Sequence, residues 1–454
     1  MTANLRVPPP LKEIAFIFNS AGKEVYLVGG AVRDLLLGRD SADWDLATNA
    51  RPEEVVSLFH RVIPTGIKHG TVTIRHRGRS LEVTTFRTES AYSDGRRPDE
   101  IRYAATIEED LSRRDFTMNA AAVKLPQGTL IDPFQGQSDI KRRLIRSVGR
   151  AEERFTEDGL RPMRAVRFAA QLGFDLEEKT LAAIPGALST TARVAAERIR
   201  EELDKTILSP RPQTGFVVME ETGLLRLILP ELALCRGVEQ RGRHRRDVLD
   251  HSLLACAWAA GAGFSREVRM AALFHDIGKP PVRRYDEEKG TWTFYHHERE
   301  SARLAEGIMR RFRYPNALID RVSRLVAAHM FHYEDAWKDG AVRRFIIKTG
   351  EDLLEELFAL RLADTAGTAE TEPDPAALLP FRKRIEAVLN RGNILSPRDL
   401  AVNGRDLLAL GVKPGRTVGI ILQELLEAAV DDPELNNRER LLKIAENINR
   451  RYQE

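Results

Sequence analysis

With 454 residues, 43% of them hydrophobic and 30% charged, the chain is long enough for several domains with their own cores, and its composition excludes a disordered or fibrous protein. A net charge of +3 demands no polyanionic partner, so any nucleic-acid site has to come from local clusters of basic residues. No apolar run reaches the ~18 residues that cross a bilayer, and the two cysteines, Cys235 and Cys256, make no metal knuckle and read as packed thiols of a reducing compartment.

The N-terminus shows no secretory pattern, since Pro8, Pro9 and Pro10 lead into an amphipathic helix; the expected location is the cytoplasm. Residues 25–28 form a short buried strand. Gly29 and Gly30 then turn the backbone tightly enough to approach a phosphate, and a helix over 32–37 closes at Gly38, its N-terminus facing the anion with Arg33 in reach. In a strand, side chains repeat every second residue, so Asp43 and Asp45 share one face and Trp44 takes the other. Two carboxylates in one small volume push each other toward protonation, and a magnesium ion removes that penalty. A glycine turn followed by paired aspartates points to nucleotidyl transfer. Glu82, in the strand 81–86, is a third candidate catalytic acid or else a strand-end charge facing solvent.

Here the residues resemble a known family. The stretch 27–45 is similar to the signature of the class II tRNA nucleotidyltransferase and bacterial poly(A) polymerase family, whose head follows the polymerase-beta pattern. The resemblance implies an α+β fold, a head of that type followed by helical domains, with Mg²⁺ bound by Asp43 and Asp45 and the triphosphate held by Gly29, Gly30 and Arg33. Strands are expected near 25–28, 71–76, 80–86 and 121–124, in a head spanning 1–148. The polar, glycine-punctuated segment 86–98 reads as a mobile loop, which by resemblance is retained in enzymes that add a terminal A.

Residues 109–120 resemble the family's second signature, which implies that Arg114, Asp115 and Asn119 hold triphosphate and ribose. The chemistry suits them: a guanidinium binds phosphate bidentately, a carboxylate accepts from ribose hydroxyls, and an amide does either. An exposed, charged helix start is the other reading of this stretch.

In 154–170, Asp158 and Arg161 stand three apart, neighbours on a helix face, an ordinary salt bridge in most proteins. By resemblance they read the Watson–Crick edge of the incoming nucleotide in place of a template. Cytosine and adenine both offer an amino donor beside an unprotonated ring nitrogen, matching an acceptor-only Asp158 and a donor-only Arg161. Uracil and guanine reverse both partners and leave buried groups unpaired. Arg164 and Arg167 continue that face at spacing three and by resemblance contact the triphosphate; otherwise they are helix-surface arginines.

Beyond about 150 the chain turns helical. A neck over 149–240, for reading the nucleotide and binding RNA, ends in a basic, glycine-broken linker, 236–246, suited either to RNA phosphates or to a solvated hinge. The segment 241–370 gathers His251, the adjacent His275 and Asp276, then His297, His329 and Asp364. This set resembles the HD superfamily of metal-dependent phosphohydrolases, which implies His251, His275, Asp276 and Asp364 as ligands, with His297 and His329 completing a second metal. Imidazole with carboxylate suits Mn, Fe, Ni or Zn better than Mg alone. Lys279 either holds a phosphate or is a cation favoured by a helix C-terminus. After an acidic, proline-bearing linker at 368–375, a helical RNA-binding tail runs over 371–454, its turn at 411–415 offering backbone N–H groups beside Lys413 and Arg416.

The expected activity is therefore template-independent addition of C and A to the 3′ end of tRNA from CTP and ATP, with neither DNA nor membrane as partner. A terminal A-adding enzyme and a poly(A) polymerase remain open. So does a reading of another class, an HD phosphohydrolase whose head only binds RNA.

Overall fold

The computed structural model describes residues 5–452 except 42, 91–99, 241–245, 335, 369–371 and 391–395. The chain divides into two compact units, Met1–Ala233 with Arg311–Arg313, and Leu234–Arg310 with Tyr314–Glu454.

The first unit opens with helix α1 (Pro9–Ser20), whose Leu11, Ile14, Ala15 and Phe18 are buried at the spacing of one helix face. Strand β1 (Val25–Val28) is buried on both sides and leads through Gly29 into α2 (Gly30–Leu36). There follow β2 (Asp45–Thr48), α3 (Pro52–Leu58), β3 (Val62–Gly66), β4 (Thr71–His76), β5 (Arg79–Thr85), β6 (Arg87–Ser90), β7 (Glu100–Tyr103), α4 (Ile107–Ser112), β8 (Ala122–Lys124), β9 (Thr129–Ile131) and α5 (Gly136–Arg142). Seven strands form one mixed sheet in the order β3-β4-β5-β2-β1-β8-β9, with β2 parallel to β5 and the other neighbours antiparallel.

Alternation along β1 divides the core: Val25 and Leu27 pack with α1, while Tyr26 and Val28 face Phe86, Ile107 and Leu111. The four strands expected from sequence are present within a residue or so of their limits. β3 and β9 were not expected. β3 is mostly exposed, and neither strand carries the apolar alternation that marks a half-buried strand. The segment expected to be a loop, 86–98, instead begins as β6, paired antiparallel with β7; residues 91–98 lie outside those described.

Helices follow: α6 (Ala151–Glu157), α7 (Arg161–Leu172), α8 (Glu178–Ala183), α9 (Leu188–Thr191) and α10 (Ala196–Ile207). α6 stops at Asp158, which is extended, and α7 restarts with Pro162 in its first turn, where a missing N–H costs nothing.

Among the described residues of the second unit, the regular elements are helices apart from the hairpin Arg284–Asp286 and Thr291–Thr293. Helices Val248–Gly261, Arg266–Phe274 and Leu354–Thr368 bury their apolar faces together. The first and last meet closely at Gly367, where a Cβ would lie 2.7 Å from the carbonyl oxygen of His251. The helix Arg266–Phe274 ends just before His275, and Gly278 then caps the short helix Lys279–Val282, with Pro280 in its first turn. In the tail, the turn at 411–415 joins helices Gly404–Ala409 and Arg416–Asp431, with Gly411 and Gly415 at positive φ. Cys235 and Cys256 are buried and in no disulfide among the described residues, and burial pushes the Cys256 thiol up to about 12. Among the described residues no helix is long and apolar enough to cross a membrane.

Candidate functional site

One cleft of about 890 Å³ in the first unit is lined by Asp43, Asp45, Glu82, Gly29, Gly30, Arg33, Arg114, Asp115, Asn119, Asp158, Arg161, Arg164 and Arg167. All the candidates named in the head and neck thus meet in one place.

The sheet register explains the acids. Asp45 opens β2 directly opposite Glu82 of β5, and Asp43 lies just outside the strand rather than within it as expected. Burial, then the charges of Glu82 and Asp43, push Asp45 up to about 6 against the pull of Arg114. Three carboxylates crowded until one resists ionising fit a divalent cation, which would relieve the repulsion. Gly29 closes this end: its φ is +71°, and a Cβ there would sit 3.2 Å from Nη1 of Arg114 and 3.7 Å from Oδ2 of Asp45.

Beside the acids runs a chain of polar contacts. Arg33 Nη1 donates to Asn119 Oδ1 at 3.0 Å, and Asn119 Nδ2 donates to Asp115 Oδ1 at 3.3 Å. Asp115 Oδ2 accepts from Arg164 Nε at 2.7 Å and Nη2 at 2.6 Å. Burial alone would raise the Asp115 carboxyl, but Arg164 and the Phe116 N–H outweigh it and hold it at about 2. Arg114 is braced by the buried Asp110 at 3.3 Å.

Asp158 and Arg161 do not share a helix face as the spacing suggests. They flank the break between α6 and α7, where the Arg161 N–H donates to the Asp158 carbonyl at 3.0 Å while the two side chains take other partners. Asp158 Oδ1 accepts from the Leu160 N–H at 3.0 Å and Oδ2 from Arg198 Nη2 at 3.2 Å. Arg161 Nη1 donates to Glu157 Oε2 at 2.7 Å and to the Arg154 carbonyl at 2.9 Å, and its Nη2 to the Arg113 carbonyl at 2.9 Å. The break is seated on α9, where a Cβ on Gly159 would lie 2.6 Å from the backbone of Thr190. Arg167 also departs from the surface reading: it is buried, donates to Glu202 Oε2 at 2.5 Å and to Gln171 at 2.9 Å, and its guanidinium carbon lies 3.9 Å from the centre of the Phe168 ring. Sequence reasoning missed Glu202 and the roles of Arg198 and Lys205, although their spacing along α10 sets all three on one face. It also missed His69, Arg87, Arg113 and Phe168, which line the cleft.

The second unit gathers two groups of donors, His251, His275 and Asp364, and Asp276, His297 and His329. Nε2 of His251 and His275 are 2.9 Å apart, and Asp364 Oδ1 is 3.2 and 3.5 Å from them. Asp276 Oδ1 is 3.3 Å from His297 Nε2 and 3.8 Å from His329 Nε2. Nδ1 of His275, His297 and His329 each donates to a main-chain carbonyl, at 2.8, 2.8 and 2.7 Å, which in the neutral rings leaves Nε2 as the inward lone pair. Two ring nitrogens as close as those of His251 and His275 need a cation or a shared proton between them, so the donor set fits a metal. Without one, burial opposes the charge on His275, but Asp276 and Asp364 outweigh it and push the ring up to about 10. Burial and the neighbouring His275 drive His329 down to about 3. Asp276 also accepts from Lys279 Nζ at 2.6 Å, and that ammonium donates to Gln240 at 2.5 Å.

Three family models match along the chain: the Poly A polymerase head domain over residues 25–146, the probable RNA and SrmB-binding site of polymerase A over 173–235, and the HD domain over 248–366. The CCA-adding enzyme of Geobacillus stearothermophilus is 35% identical over 443 residues, 95% of this chain and 96% of the relative. A crystal structure of the Bacillus stearothermophilus CCA-adding enzyme in complex with CTP superposes with a TM-score of 0.71 at 32% identity, covering 98% of this chain and 99% of that one. The Thermotoga maritima CCA-adding enzyme complexed with tRNA_CCA shares the fold, with a TM-score of 0.57 at 20% identity over 97% of this chain and 96% of that one. The cleft and the end-to-end likeness lead to one assignment: the chain belongs to the CCA-adding enzyme family.

Proposed function

We propose that this protein adds C and A to the 3′ end of tRNA, without a template, from CTP and ATP. The observation that carries this reading is the placement of Asp158 and Arg161, one acceptor-only and one donor-only, in the same cleft as three crowded acids and a row of arginines. In this reading Asp43, Asp45 and Glu82 hold Mg²⁺. Bound there, such an ion would supply charge neutralisation at the triphosphate and a more acidic RNA 3′-hydroxyl, which attacks the α-phosphate in line as pyrophosphate leaves. Gly29 and Gly30 admit the triphosphate to the N-terminus of α2, with Arg33, Arg114, Arg164 and Arg167 as its cationic lining. Asp115 and Asn119, already tied together, orient the ribose and Arg164.

We read the chain as a head over 1–148, a neck over 149–240, a metal-binding domain over 241–370 and an RNA-binding tail over 371–454, working in the cytoplasm. His251, His275, Asp276 and Asp364, joined by His297 and His329, would hold Mn, Fe, Ni or Zn. The two converging donor groups favour a second activity there, hydrolysis of a phosphoester.

Purified protein offered tRNA ending at the discriminator base, at C or at CC, with one nucleotide at a time, tests the main reading. CTP should extend the first two substrates and ATP only the third, with UTP and GTP inert. Repeated A addition to an unrelated RNA would instead identify a poly(A) polymerase, and A addition without C a terminal A-adding enzyme.

A further inference from the structure

Asp158 reaches the cleft from a residue that is neither helix nor strand, where nothing in its own backbone fixes the carboxylate plane beyond the Leu160 N–H on Oδ1. The second oxygen is fixed from 40 residues away by Arg198 of α10, at 3.2 Å. One turn along the same helix, Glu202 grips Arg167 at 2.5 Å. α10 therefore presents a cation to the acid of the cleft and an anion to one of its arginines. Arg198 does not line the cleft, and its Nη1 is buried without a hydrogen bond. That donor lies on the guanidinium that holds Asp158, so the one-pronged contact can close to a two-pronged one when the carboxylate shifts onto a ligand.

We infer that Arg198 is a positioning residue for nucleotide selection, fixing the Asp158 carboxylate as an acceptor aimed at the exocyclic amino group of the incoming base. The inference rests on the reading of Asp158 as a base-contacting group. With both oxygens anchored, each keeps a lone pair for the ligand and the carboxylate cannot rotate to suit a carbonyl-bearing base. Without Arg198, Oδ2 turns freely, the amino group of cytosine or adenine meets an acceptor that must first be ordered, and water can bridge to uracil. Selectivity then falls more than overall transfer, which separates positioning from a general support of the fold.

The test measures kcat/KM for CTP and UTP on the same tRNA with the full chain and its Asp158→Ala, Arg198→Ala and Arg198→Lys variants, with thermal unfolding of each. Arg198→Ala should lower the CTP-to-UTP ratio by roughly 10- to 100-fold, mostly through the KM for CTP, as expected when a buried polar reading site is loosened. Arg198→Lys, which keeps the charge but loses the fork, should fall between the wild type and the alanine variant, and it carries the test alone if the alanine variant does not fold. Equal losses for both nucleotides, or an unchanged ratio beside a collapsed one in Asp158→Ala, would overturn the role of Arg198 and leave that of Asp158 standing. An unchanged ratio in Asp158→Ala would remove the base-contacting reading itself.

Discussion

Two acids of the cleft sit at opposite ends of the electrostatic scale. Asp115 is held at about 2 by Arg164 and by hydrogen bonds made only in the folded chain. A depressed carboxyl contributes stability that is fully present above its unfolded pKa near 3.8 and is lost as pH falls toward 2. Asp115→Asn should therefore cost about 2 kcal/mol at neutral pH, with the difference from wild type vanishing near pH 2, as urea unfolding across the pH range would show. Asp45, pushed up to about 6, has the opposite sign: the folded chain holds its proton more tightly, so its contribution turns unfavourable as pH rises from about 4 through 6. Asp45→Asn should leave the thermal midpoint at pH 7 unchanged or higher in the absence of metal, while nucleotidyl transfer falls on the order of 1000-fold, the scale seen when a preorganised charge-stabilising group is removed.

At the scale of elements, the break between α6 and α7 matters most, because it turns two residues of one sequence motif toward the cleft from different backbone settings. Its seat on α9 depends on Gly159 having no side chain. Gly159→Ala should destabilise the chain by about 1–3 kcal/mol through overpacking and erode the choice of CTP over UTP in the same measurement. How far such features were legible follows from their range. The glycine turn at 29–30, the acids at 43 and 45 and the apolar strand 25–28 are local patterns with fixed periods, and the sequence carries them openly. Partners that lock the cleft lie 35 to 86 residues apart, as for Arg167 with Glu202, Asp158 with Arg198, Asp115 with Arg164 and Arg33 with Asn119, and no spacing rule links them. β3 escaped notice for a different reason, since a mostly exposed edge strand has no buried face to impose alternation. The histidines of the second unit were legible only through resemblance, because His251 and Asp364 converge from helices far apart in the chain.

For the whole molecule, the acid-and-arginine cleft and the two His/Asp donor groups lie in different compact units. A metal that binds only the folded state raises stability with its concentration, so Mn²⁺ or Ni²⁺ should lift the thermal transition of the wild type and fail to do so in His275→Ala. The same variant should keep its transfer of C and A to tRNA, which would place the transferase in the first unit and set aside the reading in which the head only binds RNA. Gly367→Ala, which would press a Cβ against His251, should weaken the metal-dependent shift without touching transfer.

The three protein bonds of Arg161 have one more consequence, for the order in which substrates are preferred. A guanidinium has five N–H groups; Glu157 and the Arg154 and Arg113 carbonyls occupy three, leaving two for a ligand. Cytosine can engage both, through its ring nitrogen and its 2-oxo group, whereas adenine offers a ring nitrogen beside a C–H. CTP should accordingly dissociate more slowly than ATP from the unprimed protein, an asymmetry measurable by calorimetry before any RNA is present.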